Sequence, residues 1–184
     1  MATHLDDIVE KVENRLKEER VLFIFDTGGV TRIYKRIGED IFTDWLANEE
    51  RVITEECIRE LENQRDSYRL DDDGTLLTPY QLLNRIYTVC GMEEVTRKSK
   101  KENEKYQQTY KQDRIIRAAM KRGSVKTGNT RIGLGDLSCI YLAKFSDQPC
   151  VIVTPDSDIS STLGAMRRTG HISVITPEQY LSLK

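Results

Sequence analysis

The chain has 184 residues, 38% hydrophobic and 32% charged, with a formal net charge of −2, a length that fits one domain, or one domain with a large insertion. No apolar run reaches bilayer length, and MATHLDDIVEKVENRLKEER lacks the basic start, apolar centre and small-residue cleavage site of a secretory leader, so a cytoplasmic protein with no membrane partner is expected. Cys57, Cys90, Cys139 and Cys150 lie far apart without a C-x-x-C, and His4 and His171 are the only histidines, which argues against a zinc site and for reduced, buried thiols.

Residues 1–20 read as an N-terminal helical extension. Leu5, Ile8, Val9, Val12 and Leu16 repeat at helical spacing, with Asp6 and Asp7 early and Lys17 and Arg20 late, charges matched to the helix dipole. The remainder, 21–184, reads as the main domain. VLFIF is a short continuous apolar run, the mark of a strand covered on both faces, and Gly28 and Gly29 break it. A helical stretch through Trp45 leads to RVIT, a short strand, and EECIRELENQ, a helix. Arg65 to Thr75 is a polar loop, and Thr78-Pro79 opens another helix with Thr as cap and Pro at its first position. A basic insertion at about 92–126, expected to be helical, follows. After the Gly-rich turns of KTGNTRIGLG, DLSCIYLAKF reads as a helix starting at Asp136. PCVIVTPDSD is a second buried strand ending in acids, STLGAMRRTG a helix closed by Gly170, HISVIT a last strand and PEQYLSLK a short helix. Apolar strands alternating with helices predict an α/β fold: three α/β/α layers around a central, mainly parallel sheet.

The small net charge hides an asymmetry. Val95 to Lys126 holds eleven Lys and Arg against Glu102, Glu104 and Asp113. Such a segment is either a solvated helix face or a polyanion-binding element on an acidic body.

In open parallel sheets, ligands bind beyond the carboxyl ends of the strands. VLFIF runs into Asp26 there, and CVIVTP into Asp156 with Asp158 beyond. Asp136 opens the helix before the latter strand, and Glu60 borders the apolar stripe of Cys57, Ile58 and Leu61, while Glu56 faces further toward solvent. Singly, each acid has a plain structural role: a turn residue at Asp26, a helix cap at Asp136, an Asx-turn at Asp156 and Asp158, a solvated Glu60. Jointly they would repel unless protons or a cation neutralised them. Oxygen donors without Cys or His select Mg²⁺ or Mn²⁺.

Two other chemistries fit poorly. Asp26-Thr27-Gly28 matches the local sequence of aspartic proteases, but their dyad needs two such copies or a β-rich homodimer, and this chain holds one copy among helices. Haloacid-dehalogenase phosphatases need an acid two residues after the first Asp, where this chain has Gly28.

FIFDT, IREL, GDLSCIYLA and VIVTPDSDI, in this order, resemble the four acidic motifs of the PIN-domain nucleases, and SVITPEQYLSL resembles the tail of the toxin nucleases of that family. The resemblance spans about Val21 to Leu183. It implies a metal-dependent endoribonuclease, toxin-like or RNA-processing, with catalytic acids Asp26, Glu60, Asp136 and Asp156. Asp26, Asp136, Asp156 and the accessory Asp158 would hold Mg²⁺ or Mn²⁺, and Thr27 and Thr154 would support the cluster. In-line hydrolysis would leave a 5′-phosphate. RNA, single-stranded or structured, is the implied partner, with an antitoxin or other protein and a homodimer as further expectations. Arg114, Arg117, Lys121 and Arg122, at the end of the basic insertion, are the expected phosphate contacts; Tyr106 and Tyr110, four apart, would stack on bases if exposed, with core packing the competing role for at least one of them. The chain departs from the family's small toxins in its leading helix and its insertion between the second and third motifs. A non-catalytic RNA- or partner-binding module on the same scaffold is the alternative.

Overall fold

The computed structural model describes residues 4–47, 50–64, 124–127, 130–165 and 170–183. The expected loop at Arg65–Thr75, the Thr78-Pro79 helix, Cys90 and the basic insertion with its arginines, lysines and tyrosines up to Arg122 lie outside them.

In chain order the elements are α1 (His4–Glu18), β1 (Leu22–Phe25), α2 (Thr27–Leu46), β2 (Arg51–Ile53), α3 (Glu55–Gln64), β3 (Ser124–Thr127), β4 (Thr130–Gly133), α4 (Leu134–Phe145), β5 (Cys150–Val153), α5 (Ser157–Ala165), β6 (Ile172–Ile175) and α6 (Pro177–Ser182). Four strands form one parallel sheet in the order β2-β1-β5-β6. The two central strands, LFIF and CVIV, are buried at every position, whereas β6 at the edge is only partly covered. Continuous apolar runs belong in strands with helices on both faces. The expected three-layer α/β/α fold with a mainly parallel sheet is the observed one.

The connection from β1 through α2 leads outward to β2, and that from β5 through α5 leads the opposite way to β6. The chain therefore diverges between β1 and β5, and the crevice above their carboxyl ends is the topological switch point of the sheet. Helix α2 packs on β1 and β2 with α6 beside it, while α4 packs on β1 and β5 against α3 and α5. Leu137 to Ala143 of α4 are all buried, as a helix enclosed on every side requires.

Helix α1 lies against β6. Val12 is fully buried, Ile8 and Leu16 pack on the core, and Arg15 donates to the carbonyl oxygens of Gly170 and His171. Ile8, Val12 and Leu16 of its apolar stripe are thus met within this chain.

Four local readings are corrected. Gly28 and Gly29 do not separate strand from helix; they form the first turn of α2, whose cap is Asp26. Helix α4 starts at Leu134, two residues before Asp136, because Gly133 caps it without a side-chain bond. Helix α5 starts at Ser157, ahead of the expected Ser161. KTGNTRIGLG is not only turns: β3, which begins at Ser124 in the end of the insertion expected to be helical, and β4 form an antiparallel hairpin, and β4 packs on α4 and α5.

Helix α2 breaks at Gly38, whose φ of 78° suits glycine. Val30, Ile33, Tyr34 and Ile37 make one inward stripe before it, and Phe42, Trp45 and Leu46 another after it. An unbroken helix would have turned Ile41 inward; the break advances the stripe by one residue and leaves Ile41 61% exposed. Trp45 and Tyr180 then close the core's end against Phe25, with the Trp45 Nε1–H and the Arg51 Nε–H both donating to the Tyr180 hydroxyl, at 3.1 and 2.8 Å. Among the described residues no helix is long and apolar enough to cross a membrane.

Candidate active site

The register Phe25↔Val153 sets the next residues of β1 and β5, Asp26 and Thr154, side by side at the switch point. Asp26 is 4% exposed and Thr154 3%. Both carboxylate oxygens of Asp26 are engaged: Oδ1 accepts from the Gly29 backbone N–H in a helix-capping bond, and Oδ2 accepts from the Thr154 hydroxyl at 2.5 Å. A β-carbon on Gly29 would stand 2.2 Å from the Val153 carbonyl oxygen. Only glycine lets the α2 turn approach β5 this closely.

Glu60 reaches the same crevice from α3. Its Oε2 accepts from the Thr27 hydroxyl at 2.7 Å and its Oε1 from the Gly135 N–H at 3.3 Å. A β-carbon on Gly135 would lie 2.7 Å from the Glu60 carboxylate, so this glycine too makes room for an acid. Glu55 instead pairs with Arg59 one turn along its own helix. Asp136, in the first turn of α4, accepts from the Gly133 N–H. Asp156 follows β5; its backbone N–H donates to Thr154 Oγ1 at 2.9 Å, and its own Oδ1 accepts from the Asp158 N–H at 2.8 Å. Asp158 thus meets Asp156 through its backbone, as an Asx-turn would have it.

Four carboxylates from four elements therefore share one crevice closely enough to feel one another's charge. Burial, opposed by the Thr154 and Gly29 bonds and reinforced by Asp156 and Glu60, raises Asp26 from 3.8 to about 6. Burial, reinforced by Asp26, Glu60 and Asp156, raises Asp136 from 3.8 to about 7. In both, loss of solvent disfavours the charged form and like charges add to the effect.

Beneath the acids runs a hydroxyl link that the sequence did not reveal. The Thr54 and Ser138 hydroxyls meet at 2.6 Å, Thr54 Oγ1 accepts from the Cys57 N–H at the start of α3, and the Ser138 hydroxyl donates to the Gly135 carbonyl at 2.5 Å. This ties the helix of Glu60 to the helix of Asp136. Next to it the Cys57 and Cys139 sulfurs lie 3.7 Å apart as free, buried thiols. Their mutual hydrogen bond and burial push Cys139 well above the usual thiol range, a state with little nucleophilic character.

The donor set has the chemistry of a hard-cation site: carboxylates and hydroxyls, with repulsion that a cation would relieve. Its present arrangement is looser, and among the described residues no group of three or more His, Cys, Asp or Glu is placed to hold a metal ion. The carboxylates are turned instead toward their hydroxyl and backbone donors. Comparison of the chain with protein-family models, curated proteins and solved structures finds no match.

Proposed function

We propose that this protein is a Mg²⁺- or Mn²⁺-dependent endoribonuclease of the PIN type. The observation that carries the reading is the convergence of Asp26, Glu60, Asp136 and Asp156 on the crevice where β1 and β5 diverge. Two of these acids, Asp26 buried and Asp136 half-buried, are held at the expense of their own ionisation. The order of the four acidic motifs along the chain supports the same reading.

A hard divalent cation, when bound, supplies charge neutralisation at the phosphate and a water that ionises near neutral pH. Asp26, Asp136 and Asp156 would hold it, with Glu60 bordering and Asp158 accessory. Thr154 fixes the Asp26 carboxylate through Oδ2, and Thr27 fixes Glu60 through Oε2. Gly29, Gly133 and Gly135 offer backbone N–H groups to three of the four acids, which keeps the carboxylates oriented before any substrate arrives. With Asp26 and Asp136 raised to about 6 and 7, the acids release their protons as cation binding begins, so activity should rise with pH across that range.

The test is cleavage of a labelled single-stranded RNA in Mn²⁺ and in EDTA. Wild type should cut only with the metal, and Asp26→Asn should lose the activity. A second reading, a non-catalytic module that binds RNA or a partner, draws on the looseness of the carboxylates among the described residues. RNA bound but uncut by wild type in Mn²⁺ would establish that reading and end the first.

A further inference from the structure

The β3–β4 hairpin carries an unusual pair. Its register sets Lys126 directly opposite Arg131, so the two side chains share one face, and both are exposed. Like charges in direct cross-strand register repel and weaken a hairpin. Among the described residues neither cation has an acidic partner; Arg131 spends its Nε–H on the Ser124 hydroxyl at 2.7 Å, on the same face. The opposite face of β4 carries Ile132, fully buried, so the hairpin is anchored by one side and presents its cations on the other.

The position of this pair gives it a use. Gly133 ends β4, pairs with Ser124, and donates its N–H to Asp136. A β-carbon on it would lie 3.7 Å from both Asp136 Oδ2 and Glu60 Oε1. Arg131 therefore stands two residues, about 7 Å along an extended strand, from the rim of the acidic crevice. β4 also packs on α5, the helix that Asp156 and Asp158 open. An acidic crevice repels a polyanion, so a nucleic acid needs cations at the rim to be held across it.

We propose that the outward face of the hairpin, Lys126 and Arg131, binds the phosphates of single-stranded RNA beside the acidic crevice. The proposal rests on the nuclease reading and names a substrate-holding element for it. The cations act on the backbone without reading sequence, and their mutual repulsion is relieved when phosphates lie between them.

Affinity of a fluorescent single-stranded RNA is measured against salt concentration, with EDTA and separately with Ca²⁺. The Lys126→Gln, Arg131→Gln double variant should flatten the log–log salt slope by about 1.4, two phosphates at about 0.7 each, and so weaken binding about 25-fold at 0.1 M salt. Lys126→Glu supplies a readout of opposite sign. It turns the facing repulsion into attraction, so the melting temperature should rise while RNA binding falls. A double variant with wild-type affinity and slope overturns the hairpin proposal and leaves RNA cleavage standing. Wild type that binds no RNA in either buffer overturns both readings.

Discussion

Without metal, this protein should lose stability as pH rises from 5 to 8, against the trend of most carboxylates. A carboxyl raised from 3.8 to about 6, as Asp26 is, is ionised in the folded protein at a cost of about 3 kcal/mol, at about 1.4 kcal/mol per pH unit. For Asp136, raised to about 7, the same conversion gives about 4 kcal/mol. Asp26 is among the causes of the Asp136 shift, whereas the charges behind the Asp26 shift are Asp156 and Glu60, so the coupling is counted once and the joint penalty is at most about 7 kcal/mol. Between pH 3.8 and about 7 the folded state holds more of these protons than the unfolded state, so unfolding free energy falls as pH climbs through that window. The penalty is complete above pH 7 and absent below about pH 4.

Asp26→Asn isolates the effect. Asparagine keeps an oxygen for the Gly29 N–H and carries no charge, and comparison with wild type cancels every other titrating group. In urea melts with EDTA, the variant should be more stable than wild type at pH 8 by about 2–3 kcal/mol, with the gap closing toward pH 5. Mn²⁺ should raise wild-type stability at pH 8 through binding to the folded state and do little for the variant. A gap that stays constant across pH, or wild type that gains stability from pH 5 to 8 in EDTA as fast as the variant does, would refute the reasoning.

Four further substitutions test the packing of the site and its supports. Gly29→Ala places a β-carbon against the Val153 carbonyl and should lower stability by about 3 kcal/mol, the upper part of the overpacking range; Gly135→Ala meets only the movable Glu60 side chain and should cost about 1 kcal/mol or less while weakening the Mn²⁺-induced rise in melting temperature. Ser138→Ala deletes the hydroxyl link between α3 and α4 and should destabilise by about 1–2 kcal/mol in chemical melts, with the acids left in place. Tyr180→Phe removes the acceptor for the Trp45 and Arg51 donors and should cost about 1–3 kcal/mol with no change in the Mn²⁺ response, since it lies away from the carboxylates.

What the sequence disclosed follows from which interactions are local. VLFIF and CVIV are readable as central strands because cover on both faces leaves no polar position in them. Glu60 could be chosen over Glu55 and Glu56 because helical spacing from Cys57, Ile58 and Leu61 fixes its direction. The start of α4 was not readable: its cap is Gly133, which makes no side-chain bond and so leaves no capping residue to recognise. The hairpin was masked by its glycines, although Gly128-Asn129 between TV-type strand residues is a two-residue turn signal. The break at Gly38 looks in sequence like any helical glycine. The Thr54–Ser138 link joins residues 84 apart, and neither has a local pattern that names the other. The raised pKa of Asp136 needs the third layer, because the elements that bury it are far away in the chain.

Asp26 shows why a structural role and a chemical one are not rivals here. As the cap of α2 it needs one acceptor oxygen for the Gly29 N–H, and serine or asparagine would serve as well. A carboxylate at a helix N-terminus is ordinarily favoured in its charged form, with its pKa lowered. At Asp26 the pKa is raised instead, since burial outweighs both hydrogen bonds. The charge therefore brings folding nothing that a neutral cap would lack, and the neighbouring Asp156 and Glu60 make it worse. Capping accounts for the position of Asp26 and leaves its charge unexplained; the cation proposed for this crevice would account for it.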